Sequence, residues 1–160
     1  HCTSSAASDV YKRQVPSLPI SPKETILLLE EIIEENKKEV SLIGSSLGGF
    51  YAAYLAEKYK LKSVLINPVV SFHLKNMKDL IGEHENYNTG EKYFFSKSNF
   101  KELFDYKIRK FSIPLNQLFL LQLGDEVLDQ KETLNIMKGH YFWLRMKDLI
   151  NSRISRNIFL

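Results

Sequence analysis

The stretch "LIGSSLGGF", residues 42–50, constrains the fold of this 160-residue chain more than any other. An apolar, β-rich run enters it, "VSLI" at 40–43, and a helical pattern leaves it, "GGFYAAYLAEKY" from Gly48. Between them Gly44, Ser46 and Gly48 form Gly-x-Ser-x-Gly, the spacing of a serine carried on a sharp strand-to-helix turn. The chemistry explains the spacing. The flanking residues must be too small to clash around a strained turn, and the helix that follows aims its first amides at negative charge developing on a substrate. Ser46 is therefore the candidate nucleophile. Two other readings compete with it. Ser45 is a neighbouring hydroxyl, out of register with the glycines, and a glycine-rich turn can also carry a serine that is only solvated. A Walker phosphate loop is excluded, because no Gly-Lys-Ser/Thr follows.

The rest of the chain supplies what such a turn needs on either side. Ser21, Pro22 and Glu24 have the spacing of a capping box with proline at the first helical position, which predicts a helix to about Lys37. Ile26, Leu29, Ile32 and Ile33 fall on one face of it, and Glu30, Glu34 and Lys38 on the other. "VSLI" is apolar on successive residues, as a strand covered on both faces should be, and "SVLI" at 63–66 and "QLFLLQL" at 117–123 repeat the signal. Strands alternating with helices predict a parallel α/β sheet. Residues 71–112, rich in charge and aromatics without a clean period, are expected as helices and loops above the strand ends, where a lid or substrate pocket belongs.

Composition narrows the function classes. A hydrophobic content of 44% over 160 residues suits one domain with a real core. No apolar run approaches the roughly 18 residues of a membrane span and no secretory signal pattern is visible, so a cytoplasmic location is expected. The single cysteine, Cys2, offers neither an internal disulfide nor a metal cluster, and no cofactor is expected. The formal charge of +3 comes from the ends: Arg145, Lys147, Arg153 and Arg156 against Asp148 after residue 142, and Lys12 and Arg13 against Asp9 before residue 15. The middle is slightly acidic, without a basic face interleaved with aromatics, which argues against nucleic acid.

A serine nucleophile needs a base and an acid, in the chain order serine, acid, histidine when the sheet is of the α/β-hydrolase type. "LGDEVLD" follows the strand 117–123. Asp125, two residues past that strand, is the first candidate acid. Asp129 is the second, although Asp129 with Glu132 is also spaced as a capping box for a helix over 129–138. Both could equally be plain turn and cap residues.

Five stretches, "PSLPISP" at 16, "GSSLGGFYA" at 44, "INPVV" at 66, "IGEHENYNTGEKYFF" at 81 and "QLGDEVLD" at 122, resemble the small bacterial α/β-hydrolase esterases called YqiA-like, the uncharacterised protein family 0227. The resemblance covers roughly residues 15–142. It implies a three-layer α/β-hydrolase-like parallel sheet flanked by helices, and a serine esterase acting on short acyl esters. It also implies Ser46 as nucleophile, Asp125 as acid and the backbone N–H of Leu47 as one oxyanion donor. The partner is then a small-molecule acyl ester, not a membrane or a nucleic acid.

Two departures follow from the same resemblance. The family opens with a strand ending in a His-Gly motif that helps form the oxyanion hole, and closes with a strand and a Gly-x-His-x-Phe loop that delivers the base. Neither has a counterpart in this sequence, so the fold is expected to be truncated at both ends. Residues 1–14, "HCTSSAASDVYKRQ", resemble translated sequencing-adaptor sequence and are expected to add no strand. After Phe142 the chain turns basic and loses the resemblance, as a shifted reading frame would make it. One synonymous coding of residues 143–160, read in another frame, contains Gly-Ser-His-Gln-Phe, with its histidine at the place of Ile150. Of the histidines present, His1 lies in the foreign-looking tail, and His73 and His84 are expected at the surface. His140 follows Asp125 and is the remaining candidate base, against a plain helix C-terminal role after Gly139. Esterase activity is therefore expected to be impaired in this chain. A non-catalytic hydrolase-like binding domain is the alternative, and a thioesterase or acyltransferase would share the chemistry.

Overall fold

A computed structural model describes residues 14–36, 40–86, 89–123, 133–134 and 141–146. Helix α1, Pro22–Glu35, starts where its signals place it: the Ser21 hydroxyl accepts the Glu24 N–H at 3.3 Å, and proline occupies the first turn. The rest of that N-terminus is satisfied from far along the chain. The Glu102 carboxylate accepts from the Ser21 hydroxyl at 2.8 Å and from the Lys23 N–H at 3.1 Å, a negative charge at the positive end of the helix.

The central sheet is parallel. It contains β1 (Ser41–Ser45), β2 (Lys62–Ile66) and, after an antiparallel hairpin of β3 (Gly82–Glu85) and β4 (Lys92–Phe95), β5 (Gln117–Leu123) and β6 (Tyr141–Met146). The order is β1-β2-β5-β6, with Ser45 level with Ile66, and Ile66 level with Leu120. Helix α2, Ser46–Tyr59, crosses from β1 to β2, so the strands all end on the edge where α2 begins. Alternation along the strands turns one set of residues towards α2. Leu65, Phe119 and Leu121 form a buried cluster with Ala52, Ala53 and Phe111, against which Leu42 and Leu134 pack. A second cluster joins Ile26, Leu29 and Ile33 of α1 to Phe50, Tyr51 and Leu55 of α2. It also takes in Phe95 of β4, Phe100 of the short helix α3 (Lys97–Glu102) and Leu103, which tie the segment after β2 to the main core.

Several expectations are corrected here. Strand β1 is not covered on both faces: Ile43 is 51% exposed, and Leu118 of β5 is 37% exposed. Apolar character on successive residues specifies a strand, but coverage depends on other elements, and α1, α2 and α3 share one cluster on the opposite side. The segment 71–112 contains the β3–β4 hairpin, which its irregular period concealed. His73 is buried rather than superficial, because its ring nitrogen finds a backbone partner. A strand that the pattern reading did not include, β6, follows β5 among the described residues. Tyr141, Phe142, Trp143 and Leu144 are good strand formers, and their ladder to β5 runs without a break to Met146, across the point where the resemblance fades.

Candidate active site

Strand β1 delivers Ser45 in extended conformation, and the next residue, Ser46, takes φ 52° as α2 begins. A side chain in the left-handed region is strained by about 1–2 kcal/mol, and Ser46 is exposed there. Two close approaches shape the turn. A Cβ on Gly44 would stand 2.4 Å from the Gly48 carbonyl oxygen, and a Cβ on Gly49 would stand 2.8 Å from Cβ of Pro68. Gly44 is thus required by the passage of the strand under the helix. Gly49, outside the Gly-x-Ser-x-Gly pattern, is required by the segment after β2. Ser45, at the N-cap, makes no side-chain bond to the first turn, so the leading amides of α2, that of Leu47 among them, are not taken up by a cap. They lie at the positive end of the helix, next in the chain to an exposed hydroxyl.

Behind the turn, the Val69 N–H donates to the Ser46 carbonyl at 2.9 Å. Asn67 also has a left-handed backbone, φ 39°, and reaches β5 twice. Its N–H donates to the Leu120 carbonyl at 3.0 Å, and its Oδ1 accepts the Gln122 N–H at 2.7 Å. Strand β5 ends at Leu123, on the Ser46 edge of the sheet. Asp125 and Asp129 follow in the sequence and lie outside the described residues, as do residues 1–13, His140 and the chain from residue 147.

Comparison with known proteins now bears on this arrangement. The chain matches the uncharacterised protein family UPF0227 over residues 6–145. It belongs to that family. The match is wider at both ends than the motif resemblance and takes in most of β6. Solved structures share the fold. A protein from Agrobacterium vitis S4 described as a hydrolase is 17% identical, with a TM-score of 0.63 over 86% of this chain and 63% of the other. The monoacylglycerol lipase of Paleococcus ferrophilus is 16% identical, with a TM-score of 0.55 over 79% of this chain and 65% of the other. Est1E from Butyrivibrio proteoclasticus is 14% identical, with a TM-score of 0.55 over 79% and 60%. At these identities the likeness establishes an α/β-hydrolase fold. The chain spans less than two thirds of the length of each of these structures.

In this UPF0227 chain both described histidines hold backbone. His84 places Nε2 2.7 Å from the Leu80 carbonyl and stacks on Tyr93. His73 accepts the Val70 N–H on Nδ1 at 3.2 Å, one residue beyond the contact to Ser46. Tyr141, the neighbour of His140, opens β6 at the edge where the strands begin, whereas Met146 ends it on the Ser46 edge. A cleft of about 420 Å³ between Ile43, Val64, Leu115 and Leu118 also lies where the strands begin, away from Ser46. Among the described residues, Tyr51 and Glu57 are displaced from their ordinary pKa. Burial raises Tyr51, with Glu102 and Tyr106 adding to the effect. For Glu57, burial alone would raise the carboxyl, but bonds from Lys60 and Ser112 outweigh it and hold the group below its usual range. No helix among the described residues is long and apolar enough to cross a membrane. The motif reading missed Gly49, Asn67, Pro68 and Val69. The available signal was Asn-Pro directly after a strand, a marker of a tight turn.

Proposed function

We propose that the chain is built as a serine ester hydrolase with Ser46 as its nucleophile. The observation that carries this reading is the left-handed backbone of an exposed serine at a strand-to-helix turn, a strain that a merely solvated serine has no reason to bear. Ser46 Oγ attacks the carbonyl carbon of a short acyl ester, a base takes the hydroxyl proton, and the Leu47 N–H stabilises the oxyanion. The C–O bond then breaks, the alcohol departs with that proton, and water hydrolyses the acyl group from Ser46. Asp125 is the acid that orients the base. The monoacylglycerol lipase among the fold neighbours agrees with acyl esters as the substrate class.

The base comes from beyond β6. That strand returns the chain to the Ser46 edge at Met146, shortly before Ile150, where the shifted reading frame puts its histidine. His140, next to the residue that opens β6 at the far edge, is not given the role. A second reading, a non-catalytic binding domain, is favoured by the engagement of His73 and His84 with backbone. Hydrolysis of p-nitrophenyl acetate separates the two. The 160-residue chain is compared with one in which the residues after Met146 are exchanged for the Gly-Ser-His-Gln-Phe part of the shifted-frame tail and a strand ending in His-Gly replaces residues 1–14, each with and without Ser46→Ala. The expected result is little Ser46-dependent turnover in the first and a gain of roughly 10³-fold or more in the second. Equal rates with and without Ser46 in the exchanged chain would favour the binding domain.

A further inference from the structure

We propose that Asn67 is a positioning residue for Ser46, and that Asn67, Pro68 and Val69 form a rigid link between the nucleophile turn and the end of β5. The proposal rests on Ser46 being the nucleophile. A left-handed serine relaxes unless its surroundings over-determine it, and the link meets Ser46 and α2 at two points: Val69 holds the Ser46 carbonyl, and Pro68 sits so close to Gly49 that the first turn of α2 cannot move towards it.

The link in turn needs an anchor. The β2–β5 ladder stops at Ile66 and Leu120, and Pro68 has no N–H with which to extend it. Asn67 continues the ladder by other means, donating its N–H to Leu120 and accepting the Gln122 N–H on its side-chain oxygen. Asparagine suits both tasks, since it tolerates φ 39° and supplies an acceptor. Loss of that oxygen frees one end of the link, and the freedom passes through Val69 to Ser46.

The test uses the full 160-residue chain and its counterpart carrying the shifted-frame histidine, with p-nitrophenyl acetate and acetylation of Ser46 followed by intact mass and peptide mapping against Ser46→Ala. Varying the reagent concentration separates the limiting rate from half-saturation. Asn67→Gly keeps the backbone conformation available and removes only the side chain. It should lower the limiting rate about tenfold with half-saturation unchanged. Asn67→Asp, whose carboxylate can accept from Gln122, should stay within about threefold of wild type. Amide exchange at Gln122 should quicken in Asn67→Gly and recover in Asn67→Asp. Wild-type acetylation in Asn67→Gly overturns the proposal, leaving Asn67 as a strand-end cap and Ser46 as the nucleophile. Absence of Ser46 acetylation in both chains with Asn67 intact removes the nucleophile reading, and this proposal with it.

Discussion

Replacing Ser46 by glycine and by alanine reads the strain in the turn directly. In a helix interior glycine is less favourable than alanine by about 1 kcal/mol, because it loses more backbone freedom on folding. At Ser46 the order should reverse. A Cβ at φ 52° is strained by about 1–2 kcal/mol, which alanine retains and glycine escapes. Ser46 is also the first residue of α2, where the interior penalty on glycine applies only in part, and it is exposed, so neither substitution removes a core contact. The expected outcome is Ser46→Gly more stable than Ser46→Ala by about 1 kcal/mol. With a urea m-value of about 2 kcal/mol/M, the unfolding midpoints should differ by roughly 0.5 M. Both variants lack the hydroxyl and lose acetylation at this position, so the stability difference stands apart from reactivity. An alanine variant as stable as the glycine variant, or more so, would show that the backbone at 46 is not held left-handed, and the argument for a nucleophile turn would lose its basis.

Gly44→Ala places a Cβ 2.4 Å from a backbone oxygen, so strand and helix must separate; a loss of about 1–3 kcal/mol in urea unfolding is expected, and an unchanged midpoint would contradict the close approach. Phe119→Ala removes a fully buried ring from the centre of the sheet and should destabilise by about 3–5 kcal/mol, with a value below about 1 kcal/mol excluding that packing. Glu57 has a folded pKa below its unfolded value near 4.5, so its contribution is complete above that pH and disappears as the pH falls through the lower folded value. The carboxylate is partly exposed, which limits the effect to under about 1 kcal/mol. Thermal unfolding of Glu57→Gln should be less sensitive to acid than wild type, and identical pH profiles would rule this out.

What was legible in the sequence was what neighbouring residues decide among themselves. The Ser21 cap, the start of α1 at Pro22 and the span of β5 over Gln117–Leu123 all depend on local bonding and pattern, and they lie where the sequence places them. The open face of β1 depends on which elements reach Ile43, and the burial of His73 on a loop that folds under it, so neither can be read from spacing. Strand β6 is legible in the run of strand formers from Tyr141, which crosses the point after Phe142 where the family motifs fade. The strain at Ser46 belongs to both kinds. Gly-x-Ser-x-Gly marks the turn, but the contacts that hold it come from Pro68 and Val69, some twenty residues on, and through Asn67 from Gln122. The stretch "INPVV" contributed to the resemblance only as a string, although an asparagine between a strand and a proline already has a physical meaning: it accepts a left-handed backbone and presents a side-chain oxygen where a ladder has run out. A nucleophile turn is strained by construction, so a sequence that encodes one must also encode what holds it, and that partner is best sought at the end of the next strand over, where the chain passes within hydrogen-bonding reach.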